Sequence, residues 1–131
     1  MDSWREIILA KLGQYAGFDL DVQDTQLTVT CRNSDSFSVS FFVVGGYYQV
    51  AFDGWHEDFD DVEDALNCFA FGLSEECRLK VVLRGTTECN WTVESWKGDE
   101  WEEDSVTGLI FAPFWRPSTV RYYQNKLEKK L

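Results

Sequence analysis

His56 is the only histidine in the 131 residues, and it sits in the most densely charged stretch of the chain, Asp53-Gly-Trp-His-Glu-Asp-Phe-Asp-Asp-Val-Glu-Asp. These twelve residues carry seven carboxylates together with Trp55 and Phe59. An imidazole among carboxylates has the ingredients of a general base, with Asp53 or Asp58 available to orient the ring. The same carboxylates are hard oxygen ligands. Trp55, however, occupies the third position counted from Asp53, where a calcium loop places a ligand, so no metal and no cofactor is expected. No nucleophile elbow or glycine-rich phosphate loop accompanies His56, and Gly45-Gly46 reads as a hairpin turn rather than a dinucleotide fingerprint.

The remaining chemistry is recognition. Tryptophan is enriched at interface hot spots, and carboxylates beside it steer and orient cationic partners. Asp53, Trp55, His56, Glu57, Asp58 and Phe59 therefore form a candidate contact surface. Asp99-Glu100-Trp101-Glu102-Glu103-Asp104 repeats the composition, adding Asp99, Trp101 and Glu102 to the candidates. The two segments make one patch only if the fold brings them to the same place.

Composition narrows the partner. There are 23 acids against 12 bases, a formal charge of −11. Generic binding to nucleic acid or to an anionic membrane needs clustered Lys and Arg, so both are excluded as expectations. A basic partner protein fits the charge. The start, Met1-Asp2-Ser3-Trp4-Arg5-Glu6, lacks the basic and apolar regions of a signal peptide, and no apolar run is longer than the four residues Phe41 to Val44. The expected setting is cytoplasmic. Cys31, Cys68, Cys77 and Cys89 are widely spaced with no C-x-x-C pair, which predicts buried reduced thiols rather than a zinc or redox site.

These residues need elements to hold them. Asp2 or Ser3 can cap a first helix with Trp4, Ile7, Ile8, Leu12 and Tyr15 at helical spacing, fading at Gly13 to Gly17. Leu27, Val29 and Cys31 alternate as a strand. Phe37 to Val43 and Tyr48 to Phe52 form a hairpin about Gly45-Gly46, with inward pairs Val43–Tyr48, Phe41–Val50 and Val39–Phe52.

A second helix starts inside the acidic segment. Val62, Ala65, Leu66, Phe69 and Leu73 make its buried stripe, Asp60 or Asp61 starts a capping box, and Gly72 is placed to end it. Next comes a hairpin with a three-residue loop, Gly85-Thr86-Thr87. It would set Arg84 opposite Glu88, Leu83 opposite Cys89, Val81 opposite Trp91 and Arg78 opposite Glu94. Trp96 to Asp104 reads as a polar loop and 106–112 as a last strand with an irregularity at Gly108. Ser118 should cap a final helix with Val120, Tyr123, Leu127 and Leu131 on one face.

The expected architecture is one α+β domain over residues 1–131. An antiparallel five- or six-stranded sheet, in the order α-β-β-β-α-β-β-(β)-α, would carry its helices on one face. The functional expectation is a small, bacterial-type, non-enzymatic binder of a basic protein, resembling an immunity or inhibitor module in its logic, or a mimic of nucleic-acid charge. The alternatives are a small-molecule binder or enzyme using His56 with Asp53 or Asp58, and a domain whose acids serve only solubility. Neither partner identity nor oligomeric state is legible.

Overall fold

The computed structural model describes residues 3–109 and 112–130. Ser3 caps α1 (Trp4–Leu12), its Oγ accepting the Glu6 N–H at 3.3 Å, and Ile8 and Leu12 are buried one turn apart. Asp2, the other possible cap, lies outside the described residues. The chain continues through β1 (Tyr15–Ala16) and turns at Gly17, whose φ of 83° suits a residue without Cβ. It then enters β2 (Phe18–Gln23), a strand absent from the sequence expectation.

β2 opens a five-stranded antiparallel meander with β3 (Gln26–Cys31), β4 (Ser38–Val44), β5 (Tyr47–Phe52) and β6 (Trp55–Phe59), paired in chain order. Alternation does what it must here. Leu27, Val29, Val39, Phe41, Val50 and Phe52 line the buried face. Thr28 pairs with Ser40 and Thr30 with Ser38 through hydroxyl hydrogen bonds of 2.8 and 3.0 Å on the other. The hairpin register Val43–Tyr48, Phe41–Val50, Val39–Phe52 is the one the spacing predicts.

Helix α2 (Val62–Leu73) starts at Asp61, whose Oδ1 accepts the Glu63 N–H at 3.0 Å, and buries Ala65, Phe69 and Leu73 across β4 and β5. Gly72 does not end this helix; Ser74 caps it. A Cβ at Gly72 would instead run into the Phe52 ring, so the glycine is there for close helix–sheet approach.

The strands after α2 build a second antiparallel sheet rather than extending the first. Its order is β10 (Ser118–Tyr123), β7 (Cys77–Arg84), β8 (Thr87–Trp96), β9 (Trp101–Gly108). A two-stranded pair, β1 with β11 (Glu128–Lys129), completes the described fold. The final helix expected over 118–131 is instead strand β10, a coil and β11, with Leu131 outside the described residues. β7 is buried on alternate residues and needs a partner on its free edge. Ser-Thr-Val-Arg-Tyr-Tyr, rich in β-branched and aromatic residues, supplies one in register from Ser118–Arg84 to Tyr123–Leu79. The helices that cover the core are therefore two.

The polar loop over 96–104 is mostly strand. β8 runs to Trp96, the chain turns through Lys97 to Glu100, and β9 begins at Trp101 rather than at 106; residues 110 and 111 of the expected strand lie outside the described set. The β7–β8 register holds for Arg78–Glu94 and Val81–Trp91 but not at the turn. Gly85, at φ 64°, and Thr86 make a two-residue turn that sets Arg84 opposite Thr87 and Leu83 opposite Glu88. A one-residue bulge at Cys89 restores the register beyond it.

A single buried cluster draws on α1, α2 and strands of both large sheets. The C-terminal segment is tied in by Asn125, fully buried. Its Oδ1 accepts the Phe37 N–H at 3.1 Å and its amide donates to the Gly72 carbonyl at 2.9 Å. Among the described residues, no helix is long and apolar enough to cross a membrane. Cys31, Cys77 and Cys89 are buried free thiols and Cys68 is half-buried.

Candidate functional site

The segment expected as a contact loop is the turn Asp53-Gly54 followed by edge strand β6, and a strand separates its side chains by parity. Asp53 takes φ 51°, donates its N–H to the Ser38 carbonyl at 3.1 Å and accepts the Ser38 N–H on Oδ1 at 2.9 Å. That carboxylate closes a turn. Burial raises the Asp53 carboxyl above its ordinary range; the Ser38 N–H opposes this, and the Glu88 carboxylate adds to it slightly. Gly54 lies against the Trp91 ring, leaving no room for a Cβ.

Trp55 is only 3% exposed, stacked on Phe52 with ring centroids 4.6 Å apart, and its indole N–H donates to Ser105 Oγ at 2.6 Å. It is a core residue and is removed from the candidate contact surface. The physical reason is pairing: Trp55 stands opposite Phe52, so alternation directs it inward.

Beyond Trp55 the strand alternates. Glu57 and Phe59 stand opposite Val50 and Tyr48 on the side of α2, while His56 and Asp58 stand opposite Ala51 and Gln49 on the outer face. Phe59 is half-buried against the core. Asp58 Oδ1 accepts the Gln49 amide at 2.9 Å. His56 is exposed, and the two carboxylates expected to orient it are bound to Ser38 and Gln49. The general-base arrangement is not assembled in this geometry.

The two acidic segments do come together. β6 lies beside β9 as the neighbouring edges of the two large sheets, joined by the Trp55–Ser105 hydrogen bond. A bulge sets Val93 opposite Ser105 and Glu94 opposite Glu103, leaving Asp104 as the extra residue of β9. Burial, then the Glu57 carboxylate, pushes the Cys68 thiol up to about 12. Burial also raises the Cys77 thiol, helped by Cys68 and by Asp104. Helix α2 borders both β6 and β7, and β6 borders β9, so these elements meet along one seam. Glu57, Glu102 and Asp104 are exposed along it.

The second segment divides in the same way. Glu102 stands opposite Ser95, whereas Trp101 stands opposite Trp96 on the outer face, with ring centroids 5.4 Å apart. Trp101 is already engaged. Arg78 lies between the Trp101 and Tyr122 rings, 4.5 and 4.1 Å from their centroids, and holds Glu94 at 2.6 Å. Asp99 is exposed in the turn at the tip, where the Lys97 N–H donates to the Glu100 carbonyl at 2.9 Å.

Among the described residues the ion pairs are Arg32–Asp19, Arg78–Glu94 and Lys80–Glu103. Among the described residues Glu57, Asp58, Glu102 and Asp104 have none, and no three His, Cys, Asp or Glu side chains converge to hold a metal. Asp104 belongs to the acidic segment expected to meet a cation, but the bulge that places it is not marked by anything local in the sequence. No family model, no curated protein and no solved structure matches the chain.

Proposed function

We propose that the chain is a small acidic binding protein that occludes a basic partner protein, as an inhibitor or toxin-neutralising module would, in a cytosolic setting. The observation that carries this reading is the seam between β6 and β9. Exposed carboxylates from two distant stretches of sequence, Glu57, Glu102 and Asp104, lie on adjacent sheet edges with no cation of the chain paired to them among the described residues. Uncompensated like charges at neighbouring positions repel, and a cationic partner relieves that repulsion while its on-rate is raised by the field of a chain carrying −11. Asp58, Asp99 and the exposed His56 flank this seam; Trp55 supports it from the core, Asp53 closes the turn that leads into β6, and Trp101 packs on the outer face of β9.

The test uses a lysine-rich peptide as the cationic probe, titrated at low salt. The variant E57Q/E102Q/D104N should weaken binding about tenfold, since each close surface pair is worth on the order of 1 kcal/mol or less. The equally neutralised control E6Q/D21N/D24N, on α1 and at the far edge of the first sheet, should change it less than about twofold. Equal losses in the two variants would mean that net charge alone attracts the probe, and the seam would lose its role.

A further inference from the structure

Away from the seam, α1 and α2 leave an apolar groove of about 640 Å³ between them. Leu66, Phe69, Ala70 and Leu73 line it from α2, at the three- and four-residue spacing that makes one continuous stripe; Ile7 and Leu12 line it from α1. Its floor is nearly closed to water, with Leu12 at 5% and Phe69 at 3% exposure, but its walls are not. Ile7, on the α1 wall, is 37% exposed. The stripe runs from Leu66 to Leu73, about 11 Å along α2. Among the described residues of the C-terminal stretch, Leu127 forms one wall and the backbone continues into pairing with β1.

We infer that this groove receives an amphipathic basic helix of the partner. The inference rests on the reading of the chain as a binder of a basic protein, and it adds a second contact face and the form of the partner segment. Shape and charge both support it. Two helices side by side leave a trough in which ridges of a third can pack. Carboxylates stand at both ends of the trough, Glu63 in the first turn of α2 and Glu75 just past its last, with Lys11 as the one base in the lining. A helix with an aliphatic stripe and flanking Lys or Arg meets apolar floor and acidic ends together, whereas an acidic or purely apolar helix meets only one of them.

Two synthetic peptides of about four helical turns test this. One carries leucines at i, i+3, i+4 and i+7 among lysines; the other has the same composition in an order without the stripe. The striped peptide should bind at least about tenfold more tightly, with amide shifts gathered in 7–12 and 63–75. Ala70→Arg, an exposed helix position at which the fold is checked by circular dichroism, should weaken it about tenfold or more by blocking and repelling. E57Q/E102Q/D104N should leave the difference between the peptides unchanged. Equal binding of the two peptides, or no effect of Ala70→Arg, overturns the groove; if the affinity still falls in E57Q/E102Q/D104N, the seam reading survives. Tight binding of dodecanol with no preference between peptides would assign the groove to a small apolar ligand and also overturn the proposal. No binding of either peptide up to about 1 mM sinks both readings.

Discussion

The stretches around Trp55 and around Trp101 are alike in composition, each a tryptophan set among carboxylates, and they end in opposite situations. Trp55 is opposite Phe52 on an edge strand of the first sheet and disappears into the core, leaving its flanking acids divided between two faces. Trp101 begins β9 on the outer face of the second sheet, where it stays partly exposed and caps the Arg78 guanidinium. What separates them is pairing partner and parity. An acidic-aromatic stretch has no fate of its own until a neighbouring strand decides which of its residues point inward, and only the acids that remain on a shared edge can act together.

Truncating the two rings breaks this comparison most severely. Trp55→Ala should cost about 3–5 kcal/mol, because a buried ring is lost and the Ser105 hydroxyl loses its donor. Trp101→Ala should cost about 1 kcal/mol, the worth of one cation–π face and a part-exposed ring. Urea melts of the two variants decide it, and equal costs would erase the distinction between core and surface tryptophan.

Arg78 sharpens it next. Glu94 is 6% exposed, so Arg78→Met leaves a carboxylate with little water and no cation, a loss of roughly 3 kcal/mol in the same melts. The double variant R78M/E94L should recover most of that, because the apolar pair fills the volume without a stranded charge. A double variant no better than the single one would show that the aromatic sandwich, rather than the ion pair, carries the stability.

Asp53 gives the smallest effect and the one with a pH signature. Burial holds its folded-state pKa above the ordinary 3.8, so the stability this group contributes is present below that value and is lost as pH rises through the folded value. Asp53→Asn keeps an oxygen for the Ser38 N–H, suits the positive φ and removes the charge facing Glu88. The variant should be more stable at pH 7 by about 0.3–0.5 kcal/mol, a small figure because the residue remains partly solvated, and the gain should fade as pH falls towards 3. A variant destabilised at pH 7 would show that the carboxylate's charge-assisted bond outweighs its burial.

Much of the first sheet and α2 was legible because local signals and global packing agree there. Alternation of Val39, Phe41 and Val43 about Gly45-Gly46 admits one register, and the stripe Ala65, Phe69, Leu73 admits one buried face. The end of the chain was misread because Val120, Tyr123 and Leu127 satisfy a helical spacing as well as a strand. The deciding factor, the open edge of β7, is remote in sequence. The same holds for the site. The density of charge at 53–64 and 99–104 was plain. The convergence of Glu57, Glu102 and Asp104 on one seam, and the withdrawal of Trp55 from it, were not.

By itself, then, the amino-acid sequence determined the charge, the apolar periods and the turns at glycines, since charge follows from composition and the other two depend on residues within a few positions of each other. Tertiary structure alone decided that the strands form two sheets, that β6 and β9 lie edge to edge, and that a trough remains between two helices. Those outcomes depend on which distant edges satisfy each other's hydrogen bonds and bury each other's apolar faces, a competition settled only when the whole chain is assembled.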